Sequence, residues 1–159
     1  VKKLFVAASL VCLVAACGGL KPEDTVKGFF DAMKAGDGAK AASYLSQGTI
    51  DEMSSGLEEL KADTTGFALG MMSSMLGVEM TADQLADMDG LGFAAMLLGS
   101  DMMKEQLGTV DFTIGSATIN GDRAVVTVSM VANGETTEDE VELVKENGAW
   151  KLDMPEFGM

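Results

Sequence analysis

The sequence predicts an α+β fold, helices first and an antiparallel sheet last. Three observations predict it. Apolar residues recur at helical spacing early in the chain, as in Val26, Phe29, Phe30 and Met33. In the last third they alternate with polar residues, as in Val126-Thr127-Val128-Ser129-Met130. Three Asn-Gly pairs (Asn120-Gly121, Asn133-Gly134, Asn147-Gly148), spaced 13 and 14 residues apart, separate the alternating runs. Asn-Gly is the strongest short hairpin signal because both residues accept positive φ. Three such turns join four strands into a meander, and helices followed by such a sheet define the class. With 159 residues, one domain is expected.

The first element is a targeting segment. Lys2 and Lys3 precede an apolar run from Leu4 to Ala16, 13 residues long. That is too short to span a bilayer, which takes roughly 20 residues, and it fits a secretory signal peptide over residues 1–16. Val14-Ala15-Ala16-Cys17 resembles the bacterial lipobox. The small residues Ala15 and Ala16 admit the backbone to a peptidase, with cleavage between Ala16 and Cys17. The Cys17 thiol would then carry a diacylglycerol and its freed amine a further acyl chain. Cys12 is a poor rival, since bulky Leu10 and Val11 precede it. The resemblance implies a cell-envelope protein held to the membrane by covalent lipid, and two or more chains anchor stably. In a Gram-negative bacterium, Gly18 rather than Asp after the Cys makes the periplasmic side of the outer membrane the expected address over inner-membrane retention.

Loss of Lys2 and Lys3 moves the balance from 11 basic and 25 acidic residues to 9 and 25, hence from −14 to −16. Nucleic acid is not an expected partner, because phosphate contacts require Lys and Arg. The chain has no His, the commonest catalytic base and zinc ligand. Neither Cys remains for a disulfide once Cys12 leaves and Cys17 is acylated, so stability is assigned to an apolar core.

Residues 17–21 make a lipidated Cys and short tether, and a single domain is expected over 22–159. Pro22 suits a first helical position, and Glu23 and Asp24 suit the positive end of the helix dipole. Gly36 should end this helix. Asp37 can cap a second, carrying Ala41, Ala42 and Leu45. Thr49 and Glu52 have the spacing of a capping box for a third, with Ile50, Met53, Leu57 and Leu60 as its apolar face.

The middle differs in kind. From Ala62 to Met103 there is no Lys or Arg, and this stretch holds eight of the 13 Met and six Gly. It reads as short apolar helices broken at Gly77, near Gly90 and at Gly99, with a capping box at Thr81 and Gln84. Residues 64–106 are taken as an enlargement of the helical layer. The Met-rich, Gly-interrupted middle could present an adaptable surface to a partner, or simply fill the core, with Gly66 and Gly70 allowing close helix packing. The strands follow. Val110, Phe112 and Ile114 alternate with polar residues in the first, Val126 and Val128 in the second, and Val141 and Leu143 in the third. Trp150 and Leu152 close the series. Val126, Val128, Val141, Leu143 and Trp150 are expected in the core.

Pro22-Glu-Asp-Thr-Val-Lys-Gly-Phe-Phe-Asp-Ala-Met-Lys-Ala-Gly-Asp37 and Ala41-Ala-Ser-Tyr-Leu-Ser46 resemble the opening helices of a nuclear transport factor 2-like domain. Gly121-Asp-Arg-Ala-Val-Val-Thr-Val128 and Val141-Glu-Leu-Val-Lys-Glu-Asn-Gly-Ala-Trp-Lys-Leu152 resemble its strands. The resemblance covers about half of the chain beyond Cys17. It implies a cone in which a curved sheet wraps helices around a pocket at the wide end. It brings in ketosteroid isomerase-like and polyketide cyclase-like enzymes, which need an acid or base inside the cone and an oxyanion holder.

Four chemistries can be weighed on the residues. For an enzyme, the chain offers Tyr44, its only Tyr, and Asp111. Asp111 falls on the polar side of its strand, and Tyr44 reads more simply as a packing residue. For a soft metal such as Cu(I), Met71, Met72 and Met75 share helical spacing, yet no Cys or His completes a site and Met is a common core filler. Asp87-Met88-Asp89-Gly90 begins like a calcium loop, but Leu91 stands where an oxygen ligand belongs. The acidic run Glu135-Thr-Thr-Glu-Asp-Glu140, with Glu142, could attract a basic partner or loosely held cations, but reads more simply as a solvated face or a protected sheet edge. The favoured expectation is non-catalytic: binding of a small apolar ligand or of an envelope protein, with no cofactor and no metal. Cys17 is the one residue given a chemical role.

Overall fold

A computed structural model describes residues 19–77 and 80–154. The expected signal segment, the cleavage position at Ala16 and the lipidation site Cys17 lie outside the described residues. The described chain is α+β, with seven helices followed by four strands. Helices are α1 (Pro22–Lys34), α2 (Gly38–Ala42), α3 (Gln47–Ala62), α4 (Phe67–Leu76), α5 (Ala82–Ala86), α6 (Gly90–Leu98) and α7 (Asp101–Gly108). Strands are β1 (Asp111–Asn120), β2 (Arg123–Ala132), β3 (Glu135–Glu146) and β4 (Ala149–Leu152). They form one antiparallel meander in the order β1-β2-β3-β4.

Two of the three Asn-Gly turns behave as expected, with Asn133 at φ 52°, Gly134 at 83°, Asn147 at 51° and Gly148 at 84°. The first differs. Asn120 pairs with Arg123 as the last residue of β1, so the turn is Gly121-Asp122, with positive φ at Gly121 only. A glycine at the first central position gives the other hairpin turn compatible with strand twist. β1 also carries a bulge, because Gly115 and Ser116 together face Thr127.

One face of the sheet is covered. Ala124, Val126, Val128 and Leu143 are buried there against Val26 of α1. Val141 and Trp150 pack on the same cluster but are only partly buried. Phe30 of α1 stacks on Phe112 of β1, with ring centroids 4.3 Å apart. The other side of α1 contributes Phe29, Ala32 and Met33 to a second core with α2, α3, α5 and α6. Helix α1 therefore lies between the sheet and the other helices, which explains why its apolar residues span a wide arc.

Glu23, at the start of α1, ties the helix to the sheet edge. Its carboxylate accepts the backbone N–H of Ala117, just past the bulge, at 3.1 Å. Its own backbone N–H, and then that of Ala117, hold the Glu23 carboxyl below the usual range.

The cap of α3 corrects the sequence reading. Ser46, not Thr49, is the N-cap, and its hydroxyl accepts the N–H of Thr49 at 3.1 Å. The reason lies in β4. Ser46 N–H donates to the Leu152 carbonyl and Leu152 N–H to the Tyr44 carbonyl, both at 2.8 Å. This bridge fixes the chain one turn before the expected start. Thr49 is buried and serves the far end of the chain. Its hydroxyl accepts the N–H of Met154 at 2.9 Å and lies 3.0 Å from the Ser46 hydroxyl.

In the middle segment, Gly77 ends α4, Thr81 and Gln84 form their capping box, and Gly99 caps α6. The break near Gly90 falls between α5 and α6, which Gly90 begins and Asp89 caps by accepting Gly92 N–H at 2.7 Å. Gly66 and Gly70 face open space, contrary to their expected packing role. The close approaches are elsewhere. A Cβ on Gly38 would lie 1.8 Å from the Ala95 carbonyl oxygen, and one on Gly90 would lie 1.9 Å from Ser54 Oγ.

Candidate functional site

β3 runs far past its neighbour. Glu135–Val144 of β3 pair with β2 without interruption, but β4 pairs only with Leu143–Glu146. Beyond that, Asp153 N–H reaches the Glu142 carbonyl at 2.9 Å and the ladder stops. Pro155, two residues later in the sequence, lies outside the described residues and has no N–H to donate.

Where the sheet outruns β4, a cleft of about 610 Å³ opens between α1, α7 and the covered face of β2 and β3. Phe29, Phe30 and Met33 of α1 and Met103 of α7 form one wall. Met130 of β2, Val141 of β3 and Met154 form the other. The rim is acidic, with Asp139, Glu140, Glu142 and Asp153. Thioether and phenyl walls favour an apolar occupant, and flexible Met side chains adapt to its shape.

The rim acids have different duties. Asp153 accepts the Ser46 hydroxyl at 3.1 Å and Arg123 Nη1 at 3.2 Å, so it anchors the strand end. Asp139 pairs with Val128 in register, which puts its side chain on the covered face beside Val141. Its Oδ1 accepts the N–H of Glu140 at 2.8 Å. Glu138 faces the opposite side, where its carboxylate accepts the Ser129 hydroxyl at 3.2 Å. The acidic run is therefore split by strand alternation between the cleft and the uncovered sheet face. Sequence reasoning placed the run on a strand and its turn but did not place Asp139 beside apolar walls. The alternation of Val141 and Leu143, continued backwards, could have done so.

The other residues weighed from sequence do not converge. Tyr44 is partly buried against α1, so close that a Cβ on Gly28 would meet its hydroxyl at 2.5 Å. Asp111 is exposed at the start of β1, opposite Val131 on the uncovered face. Met71 is 51% exposed while Met72 turns inward onto the helical core. The side chain of Met75 lies outside the described residues. Asp89 is committed to its cap, and Leu91 is 49% exposed beside it. A second, more polar groove of about 510 Å³ lies between α2, α3 and the start of α6, with Asp51, Asp89, Glu146 and Lys151 on its walls. Among the described residues, no helix is long and apolar enough to cross a membrane, and no cluster of three His, Cys, Asp or Glu could hold a metal ion.

No family model matches the chain, and no curated protein matches it. Among solved structures, it is similar to a Campylobacter jejuni protein named as a candidate NTF2-like transpeptidase. The two are 20% identical with a TM-score of 0.43, over 84% of this chain and 97% of that one.

Proposed function

We propose that this is a lipid-anchored protein of the bacterial cell envelope, with a nuclear transport factor 2-like domain that binds a small apolar ligand without catalysis. The cleft between α1, α7 and the sheet carries the binding part of this reading. There, apolar side chains from α1, α7, β2 and β3 meet an opening to solvent. The separation of Tyr44 from Asp111, one against α1 and the other on the uncovered sheet face, favours binding over acid–base chemistry. Anchoring is supported by Lys2-Lys3, the apolar run to Ala16, and the lipobox-like Val14-Ala15-Ala16-Cys17. The periplasmic face of an outer membrane is the proposed address.

Two measurements test the two halves. Expressed in a bacterium, the full chain should partition with membranes, and Cys17→Ser should release it or leave it uncleaved. Equal partitioning and processing of both forms would remove the anchor from the reading. For the cleft, the neutral dye N-phenyl-1-naphthylamine should gain fluorescence with the parent chain and lose most of that gain with Met130→Asp. Native mass spectrometry of the chain purified from the envelope should show a co-purified apolar compound. Dye binding that ignores Met130→Asp would place the ligand elsewhere.

A further inference from the structure

We propose that the edge of β3 left unpaired among the described residues, at Thr136–Glu140, pairs with an extended cationic peptide whose alternate apolar side chains enter the cleft. This rests on the reading of the cleft as a binding site and names a partner for it. Three features meet there.

The first is backbone. Glu142 turns its carbonyl toward β4, as its bond from Asp153 N–H records. Alternate residues of a strand address the same edge, so Glu140, Glu138 and Thr136 also direct N–H and C=O away from β2. Among the described residues, no strand takes these groups, and Glu140 N–H is met only by the neighbouring Asp139 carboxylate. The second feature is charge. Glu138, Glu140 and Glu142 stand on the uncovered face along this edge, in a chain of net charge −14. The third is the cleft, reached from the other face past Asp139 and Val141.

An added strand must satisfy all three. Its residues bonded to Glu138 and Glu140 would place their side chains beside those carboxylates, so they should be Lys or Arg. The residues between them would point toward Val141 and Met130, so they should be apolar. Pairing would replace the Asp139 carboxylate at Glu140 N–H with a peptide carbonyl. Main-chain bonds then supply affinity and the alternate pockets supply selectivity.

The test uses the full chain and the peptide acetyl-Lys-Val-Lys-Leu-Lys-Val-Lys-amide. Binding should slow amide exchange at Glu138 and Glu140 by at least about tenfold, the signature of new ladder bonds. N-methylation of the lysines keeps charge and apolar side chains but removes the pairing donors, so affinity should fall by at least about tenfold. Glu138→Gln with Glu140→Gln should weaken binding and flatten its salt dependence. Equal binding of the methylated peptide would reduce the contact to general attraction and overturn the proposal. Slow exchange at Glu138 and Glu140 before peptide is added would also overturn it, because residues 155–159 or a second copy would already hold the edge. Loss of peptide binding with N-phenyl-1-naphthylamine still bound would sink this inference alone. Failure of both probes would sink the cleft reading as well.

Discussion

The sheet and the segment from α4 to α7 are held together in different ways. In β1–β4 each strand is joined to the next by a two-residue turn and a backbone ladder, broken only by the bulge in β1. Neighbours in space are neighbours in sequence. In α4–α7 the holding contacts come from far away. Helix α6 fits because Gly38 of α2 lets the Ala95 carbonyl approach and because Gly90 sits against Ser54 of α3. The same segment also divides internally. Ala94 and Leu98 of α6 are fully buried, whereas Phe67 of α4 is 70% exposed. Apolar composition alone does not decide which helix enters a core; the availability of a close-fitting partner does.

The largest test of this contrast is Gly38→Ala. Its Cβ would overlap backbone rather than a flexible side chain, so stability should drop by about 3 kcal/mol or more in urea unfolding. A loss under about 1 kcal/mol would mean that α2 and α6 can separate freely. Next, Leu98→Ala should cost about 3 kcal/mol, while Met71→Ala should cost under about 0.5 kcal/mol. Comparable losses would erase the distinction between α6 and α4. Ser46→Ala should cost about 1–2 kcal/mol, since it removes both the α3 cap and a partner of buried Thr49. Its effect should reach the amides of Leu152 and Met154 in hydrogen exchange, which a purely local cap would not.

The smallest effect concerns Glu23. Its carboxyl is held low when folded, chiefly by its own backbone N–H and that of Ala117. Such a group stabilises the fold above its unfolded pKa, and the contribution fades as pH falls through the folded value. Glu23→Gln should therefore be less stable than the parent at pH 7. The gap should close between about pH 5 and pH 3, around the ordinary carboxylate range. A gap that persists at low pH would assign the effect to packing at the β1 edge.

What could be read in the sequence divides along the same line. Asn133-Gly134, Asn147-Gly148, Gly36, Asp37, Thr81 with Gln84, and Gly99 act within a few residues of themselves, and each was legible. The Ser46 cap acts on Thr49 three residues on, but what fixes the chain there, Leu152 and Asp153, lies over a hundred positions away. The close approach at Gly38 was not legible, because spacing within a helix says nothing about what another helix brings to it. The cleft was legible in its parts, such as Phe29, Phe30 and Met33. Its opening depends on where β4 stops, and that is set by register rather than by composition. The first turn slipped by one residue because Asn120 can either end a strand or begin a turn.

The described chain before α1 lies at one particular end of the sheet. A Cβ on Gly19 would lie 3.0 Å from the Gly148 carbonyl oxygen, so the chain enters beside the β3–β4 turn. The Gly121-Asp122 turn lies at that same end, and the Asn133-Gly134 turn at the other. A strand of ten residues at about 3.3 Å each separates the two ends by roughly 33 Å. With Cys17 acylated as proposed, the sheet becomes a standoff of about that height. The bilayer would hold the Gly148 end, and the open stretch of β3 would face outward from the lipid headgroups. Macromolecules crossing the envelope would meet that stretch first, while compounds dissolved in the bilayer would have to leave it to arrive.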